Sequence, residues 1–361
     1  MSTDQDADQA LDAVVHPRPT PPPVPLPGDY SPELTERLMA LDRAAALAAA
    51  DKRPANTRRA YAGDWRTWCR FADAVGVPVT AAAHQPGGRG LLRTYVVWLW
   101  EQGSEQGQPL APTTIDRRLA GLAVVLRREY GTVIPPEYTE AARKLLKDLQ
   151  KEAAAAKRPP RGRGQAPALR LQALRSIVEA CPETLGGLRD RCTVVLAFAI
   201  AARRHEAAAL YGRDLVLVEE GMVVNVAVSK THPREVAVPY ARDPAVCPVR
   251  TWLEWRDAAG IEADTPVLRR MHRAGGVTRA GLSPQSVGNV ITEAGRRAGI
   301  AVRFTGHSVR RGLITESARA GKDRKAIAKV SGHADGSPVL EGYIELANRF
   351  GDDENALKGV L

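Results

Sequence analysis

Apolar residues in the first half of the chain recur every three or four positions, which is the spacing of one face of an α-helix. This pattern predicts four helices over residues 56–76, 90–103, 112–131 and 136–153, with glycines at or just beyond three of the ends. Asn56 can cap the first helix with its side-chain oxygen. An alanine-rich stretch at 44–50 is a further helical segment.

The second half of the chain, from Ala168 onward, combines helical periodicity with short stretches of alternating β-branched residues. Two strands are predicted at 222–228 and 235–239, joined by a turn at 229–234. Between residues 189 and 211, a long apolar helix is predicted to run into the basic segment around Arg203. Further helices are predicted at 171–180, from Cys247-Pro248-Val249 onward, and from Ser283-Pro284 to Gly299.

Composition divides the chain into four segments. Residues 1–30 include a proline-rich run and are predicted to be a disordered tail. Residues 31–156 carry the helical pattern and are predicted to form an all-helical bundle. Residues 157–167 hold proline, glycine and like charges without an apolar anchor, which is typical of a linker. Residues 168–361 form a second domain, so the predicted fold class is mainly α with a small β-sheet (α+β).

The chain carries 51 basic against 41 acidic residues, a net charge of +10. This surplus suits a polyanionic partner such as nucleic acid, although an ordinary basic protein can have the same balance. No stretch is apolar enough for a membrane helix, and the first residues do not resemble a secretory signal. The four cysteines form no C-x-x-C pair and indicate free thiols. We therefore expect a cytoplasmic, nucleoid-associated protein without a membrane partner.

The run Gly306-His307-Ser308-Val309-Arg310-Arg311-Gly312 separates an imidazole and a guanidinium by three positions. If this run begins a helix, His307 and Arg310 project from one face, where a phosphate would meet both. An ordinary surface pair is the alternative. Arg203 and Glu206 have the same spacing, which fits either a supporting carboxylate or a simple helical ion pair. The spacing does not decide whether Arg203 or Arg204 faces inward.

Lys230 lies in the turn between the two predicted strands. It can reach a DNA groove and protonate a leaving oxygen there, or it can protect a strand edge from aggregation. Tyr343 is the only tyrosine after Tyr240, so it is the candidate covalent nucleophile of this region. His307 and His333 lack the spaced partners of a metal site, and nearby arginines would repel a cation. We therefore expect no metal and no cofactor.

Taken in order along the chain, these motifs resemble the tyrosine recombinase (phage integrase) family. The helical segment is similar to the family's core-binding DNA domain, and the segment from Ala168 onward is similar to its catalytic domain. The resemblance is carried by Arg203-x-x-Glu206, Ser229-Lys230-Thr231, His307-x-x-Arg310, Gly332-His333, Tyr343, Asn56-Thr57-Arg58-x-x-Tyr61, Pro112-Thr113-Thr114-Ile115 and Cys247-Pro248-Val249-Arg250.

The resemblance implies a site-specific recombinase or integrase that cuts and rejoins DNA through a 3′-phosphotyrosine intermediate and a Holliday junction. Arg203 and Arg310 would bind the scissile phosphate, and Tyr343 would attack it. Lys230 would protonate the leaving 5′ oxygen. Among the remaining residues, His307 would bond to the phosphate and assist proton transfer, His333 would hold a non-bridging oxygen, and Glu206 would support the site. The residues expected to bind DNA outside the site are Arg58, Arg59, Thr113, Thr114, Arg117, Arg118, Arg161 and Arg163.

The implied partners are double-stranded DNA clamped between the two domains, other subunits in a homo-tetramer on DNA, and accessory DNA-bending or excision factors. The alternatives are a type IB topoisomerase-like enzyme that relaxes DNA and a DNA-binding module that has lost catalysis. The chain departs from the family pattern at His205, where a small polar residue is usual. One extra residue also separates His333 from Tyr343, which a turn at 334–338 would absorb.

Overall fold

A computed structural model of the chain describes residues 30–50, 55–159, 161, 162, 164–229 and 233–349. Apart from Tyr30, the predicted disordered tail lies outside the described residues. Lys230, Arg163 and the side chain of Asn56 lie outside them as well. The chain divides into two compact units, residues 1–162 and 163–361, and each has its own apolar core.

The first unit is helical. The four helices predicted by the apolar spacing are confirmed to within a few residues at each end, and α1 extends the alanine-rich segment back to Pro32. Among the described residues no helix is long and apolar enough to cross a membrane. The helices of this unit are α1 (Pro32–Ala50), α2 (Ala55–Val75), α3 (Gly88–Gln102), α4 (Pro112–Glu129) and α5 (Pro136–Ala155).

Aromatic rings form the centre of this first core. Trp68 meets Tyr95 edge to face with ring centroids 4.9 Å apart, and Phe71 lies against both rings. The indole N–H of Trp68 donates to the carbonyl oxygen of Val79 at 2.8 Å, so the buried ring keeps its hydrogen bond. Because the apolar faces are used here, most charged side chains of α2 and α4 lie on the remaining faces, and the buried Asp64 of α2 is an exception.

The second unit combines helices with two small antiparallel sheets, and the predicted α+β class is confirmed. Strands β1, β2 and β3 pair in that order, and β4 pairs with β5. The elements are α6 (Leu171–Glu179), α7 (Leu185–Ala199), α8 (Arg204–Ala208), β1 (Leu215–Val218), β2 (Gly221–Val226), β3 (Arg234–Pro239), α9 (Pro248–Ala259), β4 (Arg269–Met271), β5 (Val277–Gly281), α10 (Pro284–Arg297), α11 (Gly306–Arg319), α12 (Arg324–Ser331) and α13 (Pro338–Asn348).

Helix α7 lies at the centre of this unit. Every residue from Cys192 to Phe198 is buried, because α6, α9, α10 and α11 all pack against it. A helix that is apolar all round must be covered on all sides. The segments that leave α7 are therefore held in fixed positions by the surrounding helices.

The prediction of one continuous helix through Arg203 is wrong. Helix α7 ends at Ala199, Ala201 adopts a left-handed backbone with φ of 47°, and α8 begins at Arg204. Apolar spacing continues through Ile200, Ala201 and Ala202 and gives no sign of this break. Tertiary hydrogen bonds to the carbonyl oxygens of Ile200 and Ala201 hold the strained conformation.

The two predicted strands are confirmed as β2 and β3, while β1, β4 and β5 were not predicted. Strand β1 has apolar residues on both faces and only Leu215 is buried, so it lacks the alternation that marks a half-buried strand. Strand β4 has only three residues and includes two arginines. Such short, polar segments carry little periodic signal.

Candidate active site

The amino terminus of α11 presents two of the predicted site residues. The Thr305 hydroxyl accepts from the backbone N–H of His307 at 3.3 Å, and the Ser308 hydroxyl accepts from the N–H of Thr305 at 2.9 Å. These reciprocal bonds cap the helix and fix its first turn. His307 is exposed there, whereas Arg310 is only 4% exposed.

Gly312 allows α11 to approach the chain entering the unit. A Cβ atom at this position would lie 2.0 Å from the carbonyl oxygen of Leu169, which backbone atoms could not accommodate. The backbone N–H of Leu169 also donates to the carbonyl of Ser308 at 3.0 Å. The close contact holds the helix at the depth that buries Arg310.

Arg310 connects the end of α7 with the turn after α12. Its Nη1 donates to the carbonyl oxygen of Ala201 at 2.9 Å, and its Nη2 lies 3.0 Å from Nε2 of His333. Burial, followed by the positive charges of Arg203 and Arg234, lowers the pKa of Arg310 to about 10. Arg310 is therefore still charged at neutral pH, and it is held where it can meet an anion.

His333 is uncharged beside this guanidinium. Burial, followed by the positive charge of Arg310 and Arg203, lowers the pKa of His333 to about 4. A guanidinium can only donate, so the nearer ring nitrogen must accept, which leaves Nδ1 to donate to the hydroxyl oxygen of Ser331 at 2.8 Å. The Ser331 hydroxyl in turn donates to the carbonyl of Ile327 at 2.7 Å. This chain of bonds fixes the orientation of the ring.

Arg203, and not Arg204, faces the buried carboxylate of Glu206. Glu206 Oε1 accepts from Arg203 Nη1 at 2.7 Å, and Oε2 accepts from the backbone N–H of Arg203 at 2.9 Å. Arg204 is exposed and donates to the side-chain oxygen of Gln285 at 3.1 Å. The open question of which arginine faces inward is thus answered by the extended backbone at Arg203, which follows the break after α7.

Glu206 is also bonded from the far side. Arg234 Nη2 donates to Oε2 at 2.9 Å, and the Ser229 hydroxyl donates to Oε1 at 3.2 Å. Burial alone would raise the pKa of Glu206, but the hydrogen bonds from Arg234 and Arg203 outweigh it and lower the pKa to about 2. The carboxylate therefore stays ionised between two guanidinium groups.

His307 lies at the rim of an open cavity of about 370 Å³, lined by Arg203, Arg204, His205, Thr305, Gly306 and His307. Desolvation of its ring, followed by the positive charge of Arg310 and Arg203, lowers the pKa of His307. The cavity is thus surrounded by cationic side chains and the amino terminus of a helix, both of which favour an anion.

Tyr343 lies on α13 beside these groups. Its ring meets the ring of His333 edge to face with centroids 6.4 Å apart, and the Arg311 guanidinium carbon lies 5.3 Å from its ring centre. Helix α13 is anchored by Leu340, which is buried against Ile314 and Ile327. The turn predicted to absorb the extra residue is confirmed, since the N–H of Ser337 donates to the carbonyl of Ala334 and Gly336 has φ of 68°.

Arg234 lies among the catalytic candidates, although the sequence motifs did not predict it as a site residue. A signal was available, because Arg234, Val236 and Val238 are alternate residues of β3 and share the face that carries its buried side chains. The guanidinium groups of Arg203 and Arg234 are bonded to the carboxylate of Glu206, and the charge of Arg310 lies close enough to interact with it. With the histidine ring of the cluster neutral, this leaves two net positive charges, which suit a phosphate.

The predicted DNA-contacting residues of the first unit differ in their surroundings. Arg58, Arg59 and Thr113 are exposed, and Thr114 is half-buried at the start of α4. Arg117 pairs with the buried carboxylate of Asp64, and 45% of its side chain remains exposed.

Two others have guanidinium groups engaged within that unit. Arg118 is 15% exposed and donates to the carbonyl of Gly103 at 3.2 Å. Arg161 stacks 3.9 Å above the ring of Trp100 and donates to the carbonyl of the same residue. Both guanidinium groups therefore make contacts inside the first unit.

Comparison with known proteins places this site in a family. The model of the phage integrase family matches residues 167–349, just over half of the 361 residues. An integrase/recombinase XerD homologue from Selenomonas ruminantium is 27% identical over 310 residues, covering 82% of this chain and 84% of that protein. The matched segment contains all the described candidates of the catalytic cluster.

Solved structures share the fold. The Tn1549 transposon integrase, in complex with transposon right end DNA, matches with a TM-score of 0.58 at 13% identity, over 88% of this chain and 96% of that one. A lambda integrase dimer bound to a COC′ core site matches with a TM-score of 0.55 at 16% identity, over 84% and 93%. The chain therefore belongs to the phage integrase family of tyrosine recombinases.

Proposed function

We propose that this tyrosine recombinase carries out site-specific recombination by joining Tyr343 covalently to the 3′ phosphate of DNA. The single observation that carries the proposal is the buried Arg310 guanidinium, which contacts His333 at 3.0 Å, while the Tyr343 ring meets the His333 ring edge to face. A phosphate bound by Arg310 would thus be close to both an imidazole and a phenol.

In the cleavage step, the Tyr343 phenol oxygen forms a bond to phosphorus and the bond from phosphorus to the 5′ oxygen breaks. The phenol proton leaves to solvent or to a neighbouring base, and the 5′ oxygen takes up a proton from an acid, for which we propose Lys230. Negative charge builds on the five-coordinate phosphorus. The net positive charge around Arg203 and Arg310 stabilises it without reorganisation.

The second half of the reaction reverses the first with a different strand. The phosphotyrosine keeps an ester bond of similar energy, so the 5′ hydroxyl of a partner duplex can attack it without ATP. His307 can donate a ring N–H to a phosphate oxygen. His333 can do the same in its other tautomer, in which Nε2 carries the proton and Nδ1 accepts from the Ser331 hydroxyl. Holding phosphate and phenol together in one site removes much of the entropic barrier of both steps.

Strand exchange needs two duplexes and four cleavages, so we propose a tetramer on DNA with a Holliday junction as the intermediate. Cationic residues of the first unit, Arg58, Arg59 and Arg117 with Thr113 and Thr114, are proposed to contact the duplex, with Arg161 and Arg163 near the start of the second unit. Arg118 is the weakest member of this set because its guanidinium is bonded within the unit. DNA-bending or excision factors are proposed as further partners.

Covalent trapping tests the proposal. The protein is incubated with a duplex library that has a randomised core and a nick, and complexes that survive detergent are recovered and sequenced. The expected result is an enriched family of duplexes from the wild-type protein and from Tyr240→Phe, an exposed tyrosine of the same unit. Tyr343→Phe should yield none. Equal adduct yields from Tyr343→Phe and the wild type would overturn the proposed nucleophile.

A further inference from the structure

Arg234 is a buried cation at the first residue of β3. Its side chain is 7% exposed and lies on the same face of the strand as the buried Val236 and Val238. A charge in such a position is costly unless hydrogen bonds compensate it. The hydrogen-bond partners of this guanidinium therefore indicate its role in the fold.

The three acceptors of Arg234 come from three separate elements. Nε donates to the carbonyl of Val330 at 2.9 Å, near the end of α12. Nη2 donates to the carbonyl of Ile200 at 3.1 Å, just beyond α7, and to Glu206 Oε2 at 2.9 Å, on α8. One planar group thus joins the ends of two helices to a third helix.

Each acceptor is adjacent to a proposed phosphate-binding residue. Ile200 precedes Ala201, whose carbonyl oxygen accepts from Arg310 at 2.9 Å. Glu206 holds Arg203 at 2.7 Å. Val330 lies near the end of α12, three positions before His333. The position of Arg234 therefore sets the spacing between the segments that carry all three residues.

The turn that presents His333 packs directly on Arg234. Gly332 has φ of 63°, and a Cβ atom there would lie 3.2 Å from Cδ and 3.3 Å from Nη1 of Arg234. Only glycine provides both the left-handed backbone and the space for this contact. The turn that carries His333 therefore packs on the guanidinium of Arg234.

We propose that Arg234 is a positioning residue of the cleavage reaction, whose fork fixes the distances among Arg203, Arg310 and His333. The inference rests on the proposed function of these three residues. A lysine would supply the charge, but its single ammonium cannot match the planar, divergent geometry of the fork. The proposal thus requires the shape of the side chain and not only its charge.

The experiment compares Arg234→Met and Arg234→Lys with Arg269→Met. Arg269 is a matched control because it is 9% exposed, belongs to the same unit and donates to the carbonyls of Ala259 and Thr278, away from the site. The probe is the duplex recovered from covalent adducts of the wild-type protein. Duplex affinity, the single-turnover rate of adduct formation at saturating protein and the thermal midpoint are measured for each.

Arg234→Met is expected to slow adduct formation by about tenfold to 100-fold while duplex affinity changes by less than about threefold, because the loss is one of alignment. Arg234→Lys is expected to recover only a small part of the rate. Arg269→Met should keep the wild-type rate even if its thermal midpoint falls as far as that of Arg234→Met. A slow rate in Arg234→Met beside a wild-type rate in Arg269→Met distinguishes a positioning role from a general loss of stability.

A pH profile gives a second readout. Glu206 is bonded by Arg203, Arg234 and the Ser229 hydroxyl, and it also faces Arg310 and the ring of His333. Removing Arg234 therefore takes away one of the two cations that are bonded to it. As the pH decreases, the rate of adduct formation by Arg234→Met is expected to begin falling at a higher pH than the wild-type rate. Arg269→Met should follow the wild-type pH profile.

If the wild-type protein forms adducts, two outcomes would overturn the positioning role of Arg234 and leave the proposed function intact. These are an Arg234→Met rate equal to that of Arg269→Met, and an Arg234→Lys rate equal to that of the wild type. If Arg234→Met does not fold, Arg234→Lys decides by the same comparison. A wild-type protein that forms no adduct with any duplex of the library would overturn the proposed function itself, and the inference with it.

Discussion

Arg310 Nη2 and His333 Nε2 lie 3.0 Å apart, so a buried cation donates to a neutral ring. The ring is uncharged because burial and the cations around it lower the pKa of His333 to about 4. A neutral ring adds no repulsion to the arginine cluster. Because the ring of His333 carries no charge, the cluster of Arg203, Arg234 and Arg310 is assembled around the single carboxylate of Glu206, without a second carboxylate among the described residues.

Replacing Arg310 should abolish most of the chemistry. Arg310→Ala removes a pre-positioned donor to the charge that develops on phosphorus, and such donors contribute about 100-fold to 1,000-fold in rate. The measurement is single-turnover adduct formation on the duplex selected by the wild-type protein. Arg319→Ala, an exposed arginine at the end of the same helix, is the control and should react normally. A wild-type rate for Arg310→Ala would contradict its assigned role.

Stability should decrease as pH falls from about 6.5 to about 4. The unfolded imidazole of His333 takes up a proton near pH 6.5, whereas the folded ring resists it down to about 4, so acid favours the unfolded state in this window. The lowered pKa of His307 adds to the same slope. Glu206, with a pKa of about 2, costs stability only below about pH 4.5.

Urea unfolding at several pH values checks this expectation. His333→Gln should flatten the dependence between pH 6.5 and 4, while His272→Gln, an exposed histidine of the same unit, should leave it unchanged. An identical slope in His333→Gln and the wild type would mean that the ring is not held neutral by its surroundings.

Duplex binding should weaken steeply with salt, because phosphate contacts release counterions. Arg59→Ala should reduce the slope of log affinity against log salt by about one, since one phosphate contact releases about one ion. Arg118→Ala should affect stability more than the slope, because its guanidinium is bonded to the carbonyl of Gly103 and lies beside the buried Asp64. A flat response of the wild type to salt would contradict the proposed contacts.

Gly312 should not tolerate a methyl group. A Cβ atom would lie 2.0 Å from the carbonyl oxygen of Leu169, so Gly312→Ala must displace α11 and with it Arg310. Gly342→Ala is the control, because a Cβ atom there meets nothing within 4 Å. We expect the thermal midpoint to fall by a large amount in Gly312→Ala and not to fall in Gly342→Ala. Within a helix, alanine is more stabilising than glycine by up to about 1 kcal/mol.

Much of the fold was predictable because its helices are amphipathic. The helices of the first unit repeat their apolar residues with the helical period and are bounded by proline and glycine, so α2 to α5 could be placed closely. The order of Arg203, Glu206, His307, Arg310, His333 and Tyr343 pointed to the family, and the structure brings these residues together.

The remainder depends on contacts between distant segments. The break at Ala201 is stabilised by Arg310 and Arg234, which lie far along the chain, so no local pattern announces it. The choice between Arg203 and Arg204 follows from that break. The direction of the Arg118 side chain also depends on distant segments, because its guanidinium donates to the carbonyl oxygen of Gly103 and lies beside Asp64.

The most direct test of the account identifies the amino acid that becomes joined to DNA. The covalent complex with the selected duplex is digested with trypsin and a nuclease, and the remaining nucleotide is located by mass spectrometry. Cleavage after Lys329 and Arg349 yields a peptide over residues 330–349, whose only tyrosine is Tyr343. The account predicts a 3′-linked nucleotide on this peptide, at Tyr343. A nucleotide attached to any other residue, or linked through its 5′ phosphate, would contradict it.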